Sequence, residues 1–157
     1  MGLKKKHVPG CGCCGAGVPG GVCCTGTKPT TITVEITGIS SSTSSCGFGS
    51  IDCSNLNGTV VLTLTANTCQ WFAFQIISSR TFAHTIRFFE SGGSTWIRYQ
   101  VYDVLTGDML VDAGIAYPGT CCSMVGTVIE LLGDQLSTVC CTLDAGSEVE
   151  ITGVTGC

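Results

Sequence analysis

Thr31-Ile32-Thr33-Val34-Glu35-Ile36-Thr37 alternates polar and apolar side chains without a break. A β-strand turns successive side chains to opposite faces, so Ile32, Val34 and Ile36 share one face and the threonines and Glu35 the other. Downstream the same kind of segment recurs between turn signals. Residues 40–45 form a Ser/Thr loop, and Asn57-Gly58 reads as a turn before a second strand over 59–65. Residues 71–77 are a mostly apolar run, expected as a strand buried on both faces or pressed on a neighbour. Strands over 81–89 and 95–104 flank Ser91-Gly92-Gly93-Ser94, a hairpin signal. Thr106-Gly107-Asp108 turns the chain into 109–116, and further strands are expected over 123–132, 136–143 and 148–154. Asp144-Ala145-Gly146 would be the last hairpin turn, and a short helix within 125–132 is the competing assignment there, from the spacing of Val128, Leu131 and Leu132.

About eight or nine short strands at turn-punctuated intervals predict an all-β fold, an antiparallel β-sandwich or jelly roll, over residues 30–157. Upstream, residues 1–29 carry five cysteines among glycines and prolines with no hydrophobic period, and read as an extended Cys/Gly-rich N-terminal arm.

The composition narrows the function. The chain has 157 residues, and 11% are charged where an ordinary soluble domain has roughly 25%. A net charge of −4 and pI near 4.9 argue against nucleic acid as partner. No stretch is a membrane span: the uncharged residues 8–27 are broken by Gly and Pro. Lys4-Lys5-Lys6 is not followed by the apolar run of a secretory signal. Sheet edges with so few charges invite pairing with other chains, so neighbouring copies of the chain are the expected partners.

Thirteen cysteines far exceed what a domain of this size needs merely to fold. The disulfide candidates are Cys11, Cys13, Cys14, Cys23, Cys24, Cys46, Cys53, Cys69, Cys121, Cys122, Cys140, Cys141 and Cys157. The odd count leaves at least one unpaired within the chain, and Cys157 is placed to reach a neighbouring chain. Adjacent pairs such as Cys140-Cys141 would send their sulfurs to opposite faces of a strand. Cys11-x-x-Cys14 with Cys23-Cys24 and His7 supplies thiolates, but two adjacent cysteines are a poor half of a tetrahedral zinc site, so no metal is expected.

Catalytic signals are weak, and the chain is expected not to be an enzyme. Gly10-x-Gly12-x-x-Gly15 and Gly15-x-Gly17-x-x-Gly20 match a dinucleotide pattern of glycines but neither follows a strand nor opens a helix, so no cofactor is expected. His84 shares parity with Phe82 and Ile86 and reads as a packed, hydrogen-bonded sheet histidine. Asp103, Asp108 and Asp112 lack a calcium-loop spacing and read as solvated turn residues, and Glu148 and Glu150 as the wet side of an edge strand. Trp96, Arg98 and Tyr99 are the possible ligand platform, an aromatic strip beside a cation that would suit a sugar.

Cys11-Gly12-Cys13-Cys14, Pro29 through Gly38, Cys53-x3-Asn57-Gly58-Thr59-x2-Leu62-Thr63 and the ending from Cys140-Cys141 to Gly153 together resemble small Cys-rich β proteins encoded by tailed bacteriophages and planctomycete bacteria. The likeness covers mainly the first 70 and last 20 residues and carries over no site residues. It implies a virion part, capsid decoration or tail component, oxidised after lysis without needing an export signal, with a capsid or tail protein as a partner beside copies of the chain. The expectation is therefore a disulfide-stabilised structural subunit of a virion or other extracellular assembly, homo-oligomeric, without cofactor. Its alternatives are a carbohydrate- or receptor-binding module, or a subunit of a disulfide-linked extracellular or spore-surface fibre.

Overall fold

The computed structural model describes residues 27–41, 46–66 and 68–157. The alternating segment at the start is strand β1 (Thr31–Thr37), with Ile32, Val34 and Ile36 buried. There follow β2 (Gly58–Leu64), β3 (Gln70–Ile77), β4 (Arg80–Ser91), β5 (Ser94–Asp103), β6 (Met109–Ala116), β7 (Val128–Glu130) and β8 (Glu148–Thr155). All pairings are antiparallel, in the order β6-β5-β4-β3-β2-β1-β8-β7. Six consecutive strands thus form an up-and-down meander, and β8 and β7 extend it on the far side of β1.

The all-β antiparallel expectation is met, but the strands share one sheet where a sandwich or jelly roll would divide them between two. The sheet curls until its ends nearly meet. Gly114 N donates to Asp134 O (3.0 Å) and Leu136 N to Asp112 O (2.8 Å), while Asp134 N donates to Glu130 O (2.9 Å). The chain just after β7 therefore lies along the free edge of β6 and closes the seam. Curling lets one set of inward side chains form the whole core, as full closure also removes bare edges. Trp71, Phe82, Ile86, Ile97, Tyr99 and Leu110 are among the side chains that fill it. Trp71 Nε1 donates to Pro29 O (2.9 Å) and Lys28 Nζ to Thr68 O (2.9 Å), which fasten residues 28–29 to the barrel-like sheet. The expected arm otherwise lies outside the described residues.

Several local expectations are corrected. Residues 136–143 form no strand; they pass over the β6 edge as a loop held by Cys140 N to Met109 O (2.8 Å). The short helix offered for 125–132 is also absent, and the strand there shrinks to three residues. Asn57-Gly58 closes a 3-10 turn (Cys53–Leu56), with Asn57 bridging the backbone of Ile39 through Nδ2 to O (2.7 Å) and Oδ1 from N (3.0 Å). β8 is internal to the sheet, between β1 and β7, so Glu148 and Glu150 do not belong to an edge strand. β3 is buried on one face only: Phe74 and Ile76 are 68% and 74% exposed.

Every cysteine among the described residues is disulfide-bonded. Cys46 joins Cys140, Cys53 joins Cys141, and Cys122 joins Cys157; Cys69 and Cys121 are bonded as well. Cys157 is thus held within its own chain and not left to reach a neighbour. The adjacent cysteines do diverge: Cys141 and Cys53 are buried, while Cys140 and Cys46 are half-buried. Cys11, Cys13, Cys14, Cys23 and Cys24, and the zinc question they raise, lie outside the described residues.

Candidate functional site

The turn Gly92-Gly93, both with positive φ, sets β4 against β5 in a register that decides what shares the outer face. Arg87 stands directly opposite Arg98, and Phe89 opposite Trp96. Trp96 and Arg98 point outward, but Tyr99 points into the core and is fully buried, so the structure divides the platform expected from sequence. Strand parity alone separates Tyr99 from the other two. In its place the register brings Phe89, whose ring stacks on Trp96 with centroids 6.1 Å apart and planes at 26°, and Arg87. Counting back from Gly92-Gly93 would have found both.

Arg98 is committed to Asp112 on β6: Nε donates to Oδ1 (2.7 Å) and Nη2 to Oδ2 (2.6 Å), and Ser137 Oγ donates to the same carboxylate. Asp112 is fully buried, not a solvated turn residue. Burial raises its pKa, but the bonds from Arg98 and Ser137 outweigh that and leave it below the usual range. Among the described residues Arg87 has no such partner. Its Nε and the indole Nε1 of Trp96 are both buried without a hydrogen bond. Burial, then the neighbouring Arg98 charge, lowers the pKa of Arg87.

Inside the sheet runs a second polar group. Tyr99 Oη donates to His84 Nδ1 (2.5 Å), His84 Nε2 donates to Gln75 Oε1 (2.7 Å), and Gln75 Nε2 donates to Asn55 O (2.9 Å). This chain is satisfied only by neutral His84 carrying its proton on Nε2. Burial lowers the His84 pKa to about 4 and raises that of Tyr99. His84 is the packed sheet histidine expected, enclosed by core side chains.

At the β5–β6 turn Asp103 accepts from Arg80 Nε (3.1 Å) and Nη2 (2.8 Å) and from Thr106 N (2.8 Å) and Oγ1 (2.7 Å). The Arg80 guanidinium holds the Asp103 pKa down to about 2, against a smaller opposing effect of burial. Arg80 also lies over the Phe48 ring, 4.3 Å from its centroid. Asp103 is therefore a buried latch of the turn, not a solvated residue, and it does not come together with Asp112. Among the described residues no cluster of His, Cys, Asp or Glu is arranged to hold a metal ion, and no helix is long and apolar enough to cross a membrane.

The last feature is a parting of the sheet. β2 and β3 pair only at Thr63–Phe72 and Leu64–Trp71. Beyond these pairs they diverge around a groove of about 260 Å³ lined by Leu56, Val60, Val61, Ala73 and Phe74, among others. Thr65 N donates to Gln70 O, so the even-numbered residues of β3 turn their backbone polar groups toward β2. Phe74 and Ile76 consequently turn backbone N–H and C=O groups toward the groove, where no described strand pairs with them. Their side chains, with that of Val61, form an exposed apolar strip on the outer face.

The fold and these features define a disulfide-tied, nearly closed antiparallel β unit. No family model, no curated protein and no solved structure matches the chain.

Proposed function

We propose that this chain is a structural subunit of an extracellular assembly, built from copies of itself and hardened by its disulfides. The observation that carries the reading is the apolar strip of Val61, Phe74 and Ile76 beside a stretch of β3 that no described strand pairs on its β2 side. An exposed strand edge with apolar side chains is a template for another chain, and natural sheets that remain single guard such edges with charge. Here the strip carries none. Two copies meeting edge to edge about a two-fold axis would each supply the backbone partners the other lacks. A capsid decoration or tail component of a bacteriophage is the particular assembly favoured, on the resemblance of the cysteine and strand motifs alone. An inert role suits the chemistry: the one described histidine, His84, is sealed in the core and kept neutral.

Sedimentation velocity of the oxidised chain tests this. The unmodified protein is expected to form species larger than a monomer, and the double substitution Phe74→Lys with Ile76→Lys to reduce their size. A chain that stays monomeric at every concentration overturns the reading.

A further inference from the structure

The outer surface carries two groups of like charge that the described chain relieves only in part. On β4–β5 the directly opposed pair is Arg87 and Arg98, and the one carboxylate beside them, Asp112 of β6, is taken by Arg98. On the other side of the sheet, Glu35 of β1 stands opposite Glu150 of β8, and Glu148 of β8 opposite Glu130 of β7. All four glutamates lie outward, because Val34, Ile36, Ile129, Val149 and Ile151 take the inward positions. Like charges directly across a strand pair destabilise it. Among the described residues the ion pairs are Arg80–Asp103 and Arg98–Asp112, so none of these glutamates and not Arg87 has a charged partner.

We infer that the Arg87–Arg98 face of one copy docks on the Glu35–Glu130–Glu148–Glu150 face of a second copy, head to tail. This rests on the assembly reading and adds to it a second, polar contact. Three observations point to a copy of this chain as the occupant. The charges are complementary, one face cationic and the other anionic. Arg87 has no carboxylate of its own among the described residues, and carboxylates are the acceptors a guanidinium fits. The stacked Phe89 and Trp96 flank the arginines, while Val128 lies among the glutamates opposite Glu150, so each polar face has an apolar neighbour to exclude water. In the order of strands around the curled sheet, β4–β5 and β8 are nearly opposite. A contact between different faces on opposite sides is heterologous and propagates as a ring or an open filament.

Charge exchange tests it by sedimentation of the full oxidised chain. Arg87→Glu alone and Glu150→Arg alone each set like charges against each other, and each is expected to give smaller species than the unmodified protein. An equimolar mixture of the two variants restores opposite charges at every contact and is expected to regain the original size. Raising salt is expected to weaken the unmodified assembly by roughly tenfold or more, since the contact is between charges near the surface. The Trp71 indole N–H signal, held by Pro29, reports whether each variant is folded; should Arg87→Glu fail to fold, Arg87→Gln is expected to remove the salt dependence. Single variants that match the unmodified protein in size, or a mixture of folded variants that stays small, overturn the inference. Both results leave the apolar contact standing, because Phe74→Lys with Ile76→Lys tests that separately. If Arg87 instead binds free glucuronate, seen as a saturable shift of the Trp96 indole signal while assembly is indifferent to charge exchange, the face is a saccharide site and the inference is overturned.

Discussion

The hydroxyl of Tyr99 and the two ring nitrogens of His84 form a line in which each hydrogen has one acceptor. A second proton on His84 would turn Nδ1 into a donor and oblige Tyr99 to accept, leaving the phenolic hydrogen with no partner in the core. With a folded pKa near 4 against 6.5 unfolded, the unfolded chain takes up the proton first as pH falls. Stability is therefore expected to be complete above pH 6.5 and to decline between 6.5 and about 4, by ~3 kcal/mol in all. Urea titrations across that window check it, with His84→Gln expected to flatten the decline. Asp103 acts in a lower window. Its depressed pKa stabilises the fold above the usual carboxylate range, and that stability is lost as pH falls toward 2. At this scale the sequence was informative wherever parity could be counted. The parity of His84 with Phe82 and Ile86 placed it in the core, whereas grouping Tyr99 with Trp96 and Arg98 ignored the same rule.

Among the elements, the hairpin of β4 and β5 was plain because Gly92-Gly93 supplies two positive φ values at no steric cost. The β3–β4 hairpin was not, because the turn is Ser78-Ser79, at φ 49° and 67°. Serine is strained in that region, and nothing in its chemistry announces a two-residue turn. Replacing the pair, Ser78→Asn with Ser79→Gly, is expected to raise unfolding free energy by ~1 kcal/mol or more, measured by urea denaturation of the oxidised protein. The outward exposure of Phe74 and Ile76 was also hidden. An apolar run looks the same whether its second face meets a core or another molecule. Residues 136–143 misled for a related reason: Cys141 and Leu143 are buried, as strand residues would be, but in a loop fixed by sulfur and by the β6 edge.

At the scale of the molecule, the bonds Cys46–Cys140 and Cys53–Cys141 span 94 and 88 residues and run side by side. Either one alone closes a long loop, worth about 4–5 kcal/mol in the chain-entropy account. With one already closed, the other seals only a short ring and adds about 2–3 kcal/mol. Losing both should thus cost more than twice the loss of either. A cycle of Cys46→Ala with Cys140→Ala, Cys53→Ala with Cys141→Ala, and all four, followed by chemical unfolding, measures the non-additivity. The cysteine count announced this reinforcement, but the pairing was not legible, since spacing says nothing about which distant loops the curled sheet brings together.

The bond from Cys157 to Cys122 has a mechanical meaning. A pull on the chain at Cys157 passes through sulfur directly to the segment ahead of β7. Strand β8 lies inside the bypass and carries none of the tension, so it cannot be peeled from β1 and β7 hydrogen bond by hydrogen bond. Any strain entering the molecule at that point is delivered instead to the covalent framework.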